Sequence, residues 1–291
     1  MTGQTTAVEP LGAIDEVSAE PRARRECSAT ADGSSGWVQS WDLSVGVDGP
    51  GARLAVFLAD CPRGCDDCGR DDRDDRESPE SVETSIEAIQ RLVREHGTVV
   101  ASSVRAFTTD TGVVTASAAR GLTASGREPL AQPAFTRRIL QAAHAASLHT
   151  ALDTSGFLGD RADDGLLDAA DLVLLDVRGG SDEGHRQVTG RPLRPTLEFA
   201  RRLAQRGQAT WMRYVLVPGH TDQVDEVEAF MGAVRGLDNV QRIDVVPFDE
   251  PGVLRCERFD PALSLRRLPR AIPELIDSVR ARMAHAGLPV R

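Results

Sequence analysis

Short apolar runs alternate with stretches of helical periodicity along most of this chain. That alternation narrows its fold more than any other feature. Arg53–Leu58 (RLAVFL), His149–Asp153 (HTALD), Leu172–Val177 (LVLLDV), Thr210–Val217 (TWMRYVLV) and Val240–Phe248 read as strands, with a further one in part of Val113–Leu122. Ser81–His96 carries Val82, Ile86, Ile89 and Leu92 at helical spacing. Pro133–Ala146, Asp164–Ala169, Pro195–Arg206 and Val224–Arg235 also read as helices, and Leu265–Ala286 as a closing one interrupted by Pro269 and Pro273. A run such as LVLLDV is almost continuously apolar, as strands of a helix-covered parallel sheet are. The pattern predicts an α/β fold with a mostly parallel sheet. About six strand–helix units fall short of the eight of a closed barrel, so a partial, roughly six-fold β/α barrel is expected.

In such folds the groups that act on a ligand sit at the C-terminal ends of the strands. Those positions here hold Asp153-Thr154, Asp176 with Arg178, and Asp249, while Arg213 lies inside its strand between apolar neighbours. Each alone reads equally well as a surface strand end or a structural ion pair. Their common rim is what raises the expectation of a site.

Cys61, Cys65 and Cys68 form a C-x3-C-x2-C triplet within Leu58–Arg70 (LADCPRGCDDCGR). Three close thiolates can hold an iron–sulfur cubane and leave one iron without a protein ligand, whereas most cubanes take four cysteines. The spacing is neither that of a zinc ribbon nor that of a finger with a His pair. Zinc completed by a distant ligand, or plain reduced thiols, remain open readings of the triplet by itself. Cys27 lies in a polar segment. Cys256, in VLRCERF, is available as a fourth ligand but reads more simply as a buried or idle thiol.

Five cysteines, three of them clustered, argue against a disulfide scaffold and for a reducing compartment. The start, MTGQTTAVEPLGAIDEV, has neither the basic end nor the apolar core of a secretory signal, and no apolar run is long enough to cross a bilayer. A cytoplasmic location is expected, with no membrane partner. The net charge of −10 disfavours a nucleic-acid partner. Residues 1–36 lack apolar periodicity and read as a disordered leader, and residues 37–291 as the folded domain. The acidic run Asp66–Glu77 reads as a solvated segment.

Five segments together resemble the radical S-adenosylmethionine enzymes, and among them the activating enzymes of glycyl-radical enzymes such as pyruvate formate-lyase. They are Val47–Gly51 (VDGPG), the cysteine triplet, Leu122–Glu128 (LTASGRE), Leu152–Phe157 (LDTSGF) with Leu172–Arg178 (LVLLDVR), and Trp211–Asp222 (WMRYVLVPGHTD); Thr196–Ala200 (TLEFA) also matches. Their order and spacing run in parallel with the family from about Trp37 to Phe248. DGPG is the most specific element, since it marks the activases within the superfamily.

The resemblance implies a partial barrel of the radical SAM type. It implies a [4Fe–4S] cluster on Cys61, Cys65 and Cys68 whose open iron takes the amino and carboxylate groups of S-adenosylmethionine. Reductive cleavage of that cofactor gives a 5′-deoxyadenosyl radical, which removes a hydrogen atom from a backbone glycine of the partner enzyme. Gly126, Arg127 and Glu128 fall on the element that receives the cofactor's amino group. Asp153, Thr154 and Asp176 match polar strand ends that form a monovalent-cation site in the family. Asp176-Val177-Arg178 carries Arg where the family has Lys, and Arg213 matches a cofactor-proximal Arg. Asp48, Gly49, Pro50 and Gly51 belong to the loop implied to meet the partner's glycine segment, with Arg53 a basic position after it. No cysteine lies between Cys68 and Cys256, so no extra cluster module is expected, and an external donor such as flavodoxin or ferredoxin is implied.

Four departures surround the implied cofactor pocket. Asp67 stands where the family has an aromatic residue before the third cysteine, and a carboxylate beside an anionic cluster is unfavourable. Arg127 replaces the middle residue of a G-G-E element. Ser117–Gly121 (SAARG) replaces a glycine run, and Asp249 replaces a His after Pro-Phe. These favour a second reading, a relative that keeps the fold and cluster as a binding or regulatory protein.

Overall fold

The computed structural model describes residues 32–46, 48–59, 82–103, 120–248 and 269–291. The strands among them are β1 (Ser35–Val45), β2 (Ala52–Leu58), β3 (Val82–Ser85), β4 (Arg120–Gly126), β5 (His149–Thr154), β6 (Leu172–Val177), β7 (Thr210–Leu216) and β8 (Val240–Pro247). They form one eight-stranded sheet in the order β3-β1-β2-β4-β5-β6-β7-β8. β2 and β4 to β8 run parallel in succession, and β1 and β3 add an antiparallel margin. The parallel part matches the expected six-fold partial barrel. The helices are α1 (Ile86–Ser103), α2 (Pro133–Ala145), α3 (Asp164–Asp168), α4 (Asp182–Thr189), α5 (Arg194–Arg206), α6 (Val224–Val234) and α7 (Pro273–His285).

Period-two alternation sorts each strand onto two faces. Leu54, Val56 and Leu58 of β2, Leu122 and Ala124 of β4, Leu152 of β5, Val173 and Leu175 of β6, and Met212 and Tyr214 of β7 pack with Ile89, Phe135, Ile139, Leu203 and Phe230 of the helices in one buried cluster. Each fully buried Val, Leu, Ile, Phe or Met among them contributes about 1.5–3 kcal/mol. The intervening residues share the other, inner face. They include Ala55 and Phe57, and Ala151, Leu172 and Leu174. By the same alternation that face also carries Arg53, Thr123, Ser125, His149, Asp153, Asp176 and Arg213.

One local expectation is corrected, and one element is added. The helix read from Ser81 begins only at Ile86, because Val82–Ser85 (VETS) pairs antiparallel with Ser35–Val38. Val82 fits a helical period and a β-branched edge strand equally, and tertiary pairing decides. Helix α4 was not expected. Its sequence, DEGHRQVT, has no apolar stripe and buries only Gly184, His185 and Val188. It is held instead by its cap, with Ser181 Oγ accepting from Gly184 N at 2.9 Å.

Candidate active site

The C-terminal rim of the parallel strands gathers the residues that the sequence placed there. Asp153 and Asp176 lie one residue before the ends of β5 and β6, and Arg213 projects from β7 between them. All three are buried. Arg213 Nε donates to Asp176 Oδ1 at 2.5 Å and Nη2 pairs with Asp153 Oδ1. Asp153 Oδ2 accepts from Ser125 Oγ on β4 at 2.7 Å. A second guanidinium, that of Arg178, lies 3.9 Å from Asp176 Oδ2. Burial pushes the Asp153 carboxyl above its ordinary range, against the pull of Arg213, and Asp176 acts in the same direction as burial.

Glu128 organises the neighbouring part of the rim. Its Oε1 accepts from Thr154 Oγ1 at 2.6 Å, and its Oε2 from Ser155 Oγ at 2.6 Å and Ser155 N at 3.2 Å. Thr154 therefore turns its hydroxyl to Glu128, while Asp153, one residue earlier on the opposite face, turns to Arg213. Before Glu128 the chain is drawn close to β2. Gly126 has φ +110°, and a Cβ there would lie 2.3 Å from the Leu58 backbone N and O. Arg127 N donates to Leu58 O at 2.9 Å. Glycine at 126 is thus a steric requirement of the β2–β4 junction.

Sequence reasoning did not single out three contributors. Arg191, after α4, stacks its guanidinium 4.6 Å over the Phe157 ring; burial lowers its pKa, and nearby Glu128 opposes that shift. His185 of α4 is buried beside Arg178, and burial followed by that charge pulls its imidazole down to about 4. Gln132 ties the end of β2 in place. Its Nε2 donates to Ala59 O at 2.8 Å and Trp37 O at 3.0 Å, and its Oε1 accepts from Trp37 N at 2.7 Å. Arg191 and His185 lie in the polar α4 segment. Gln132 lies at a helix start, where polar residues are ordinary.

At the other end of β2 the segment Asp48–Gly51 turns over the inner face. Thr123 Oγ1 donates to the Asp48 carbonyl at 2.7 Å, and Asp48 is 5 % exposed. Arg53 is completely buried. Burial lowers it to about 10, so it stays charged at neutral pH. Val47, Cys61, Cys65, Asp67, Cys68 and Asp249 lie outside the described residues.

A family model described as the Radical SAM superfamily matches residues 56–231. The chain belongs to the radical SAM superfamily. It is 33% identical over 219 residues to the pyruvate formate-lyase 1-activating enzyme of Escherichia coli K12, covering 75% of this chain and 82% of that protein. It is 31% identical over 224 residues to the pyruvate formate-lyase-activating enzyme of Staphylococcus epidermidis, covering 75% and 83%. The fold is shared with a radical SAM methyltransferase of Sphaerobacter thermophilus, with TM-score 0.55 and 15% identity over 91% of this chain and 74% of that one.

The cofactors of this superfamily are a [4Fe–4S] cluster and S-adenosylmethionine, and the described residues fit them. β2 ends at Leu58 on the active rim, three residues before Cys61, a reach of at most about 11 Å. The rim sets carboxylates (Glu128, Asp153, Asp176) among guanidiniums (Arg178, Arg191, Arg213). That mixture complements a ligand bearing an ammonium, a sulfonium and a carboxylate. No helix among the described residues is long and apolar enough to cross a membrane.

Proposed function

We propose that this radical SAM enzyme is a glycyl-radical activase whose partner is an enzyme of the pyruvate formate-lyase type. The observation that carries the reading is the 33% identity to such an activase over four-fifths of that protein's length, together with a β2 that joins the DGPG loop to the cysteine loop. When bound, the cluster and S-adenosylmethionine supply a carbon-centred radical able to take a hydrogen atom from a backbone glycine. The protein's own residues hold and shield. In this reading Cys61, Cys65 and Cys68 hold the cluster. Gly126, Arg127 and Glu128 line the cofactor's amino end. Asp153, Thr154, Asp176, Val177, Arg178, Arg213 and Asp249 line the remainder of its pocket. Asp48, Gly49, Pro50 and Gly51 form the loop that meets the partner, and Arg53, completely buried behind them, holds that loop from within rather than facing the partner. Residues 37–291 act as one unit, fed by flavodoxin or ferredoxin in the reducing cytoplasm.

The test is anaerobic reconstitution with iron and sulfide, reduction, and addition of S-adenosylmethionine with pyruvate formate-lyase. Release of 5′-deoxyadenosine and a glycyl-radical resonance on the partner support the reading. An iron-loaded protein that yields neither establishes instead the binding or regulatory relative that Asp67, Arg127 and Asp249 suggest.

A further inference from the structure

Among the described residues Arg53 is the largest fully buried side chain, and its guanidinium serves four other residues on three segments. Nε donates to Thr123 Oγ1 at 2.6 Å, Nη1 to Pro50 O at 3.2 Å, and Nη2 to Leu122 O at 2.7 Å and His149 O at 3.1 Å. Nη1 also faces His149 Nδ1 at 3.2 Å. An arginine only donates, so Nδ1 is the acceptor there and His149 is neutral. Two glycines make the room. A Cβ on Gly121 would fall 2.2 Å from Nη1, and one on Gly49 would fall 3.1 Å from Cδ and Nε.

Thr123 is the hinge of this network. Its single hydroxyl proton goes to the Asp48 carbonyl at 2.7 Å, while its oxygen accepts from Arg53. The 48–51 loop is thereby stitched at Asp48 to Thr123 of β4 and at Pro50 to Arg53 of β2, which β4 and β5 hold in turn. Asp48 comes close enough to Asp153 for its charge to raise that carboxyl. Burying a guanidinium is costly, and an apolar residue of similar volume stabilises a core as well or better. What the polar network adds is one fixed placement of the loop.

We propose that Thr123, with Arg53 and His149, is a positioning residue that fixes the 48–51 loop for engagement of the partner's glycine segment. The inference rests on the activase reading. Thr123 is fully buried and acts through the Asp48 carbonyl.

The experiment compares wild type, Thr123→Val and Thr123→Ser. Valine keeps the volume and removes both hydrogen bonds; serine keeps the hydroxyl. Affinity for a fluorescent peptide spanning the radical-bearing glycine of pyruvate formate-lyase is read by anisotropy on reconstituted protein. KM and kcat for activating the intact lyase are read alongside. The expected result is a Kd and KM raised about tenfold in Thr123→Val, kcat within about twofold, and recovery in Thr123→Ser to within about twofold of wild type. Unchanged affinity in Thr123→Val, equal weakening by both substitutions, or a fall in kcat with KM unchanged overturns the inference. A wild type that releases 5′-deoxyadenosine with the lyase but does not bind the peptide also overturns it, and leaves the activase reading standing. A wild type that does neither overturns both.

Discussion

Replacing Arg213 with Met removes a side chain that touches both Asp153 and Asp176, and leaves two buried carboxylates facing each other. Taking one partner from a buried ion pair costs about 3–5 kcal/mol, most of it the penalty of the stranded charge. The cost has a pH signature. In the variant, one carboxylate of the pair escapes repulsion by binding a proton, so its folded pKa rises further above the ordinary value. The unfolded chain, with aspartates near that ordinary value, binds no such proton between pH 6 and 8. Stability of the variant relative to wild type therefore rises on acidification, by up to about 1.4 kcal/mol per pH unit. Urea unfolding followed by circular dichroism at pH 6, 7 and 8 measures it. A deficit that shrinks toward pH 6 is expected. The double substitution Arg213→Met with Asp153→Asn should recover more than half the deficit at pH 8, since an amide strands no charge. A deficit below about 1 kcal/mol, or one equal at all three pH values, would falsify the claim that Arg213 neutralises this acid pair.

Three further outcomes follow from the geometry. Gly126→Ala puts a Cβ 2.3 Å from the Leu58 backbone at φ +110°, so a loss of about 3 kcal/mol or more is expected in thermal unfolding. Tyr214→Phe removes a buried hydroxyl that donates to Thr221 O at 2.7 Å, and should cost about 1–2 kcal/mol in urea titration while keeping the ring's packing on Phe230. His185 carries a folded pKa lowered to about 4 from 6.5, so the unfolded chain protonates first. Its neutral burial supports the fold fully above pH 6.5, and that support is lost as pH falls toward 4. About 1.4 kcal/mol should be gone by pH 5.5, and a His185→Leu variant should show a correspondingly flatter acid profile.

The parallel sheet was legible because its strands advertise themselves. LVLLDV and TWMRYVLV are too apolar to be surface, and Asp153, Asp176 and Arg213 stand out within or just after such runs. The structure joins those three into one ion network, as their position on one rim suggested. What stayed hidden was held together by polar contacts, which leave no period in a sequence. Helix α4 is fixed by Ser181 capping and by Glu226, whose carboxylate accepts from Gly180 N at 2.8 Å and Ser181 N at 3.1 Å. Gln132 joins β1, the end of β2 and α2 through one amide. The work of Thr123 and His149 depends on Arg53 crossing β4, which only the three-dimensional register of Gly121 reveals. Val82–Ser85 was misread because four residues carry too little pattern to tell an edge strand from the first turn of a helix.

Among the described residues, the sheet's two margins, β3 and β8, stand at opposite ends of the strand order and do not pair. A ring of strands sealed all the way round admits only what can pass through its mouth. A wall with a side left open can accept a stretch of polypeptide still tethered at both ends to its own folded body. An activase of the kind proposed, whose target is an internal backbone position of another protein, needs a route of that second kind.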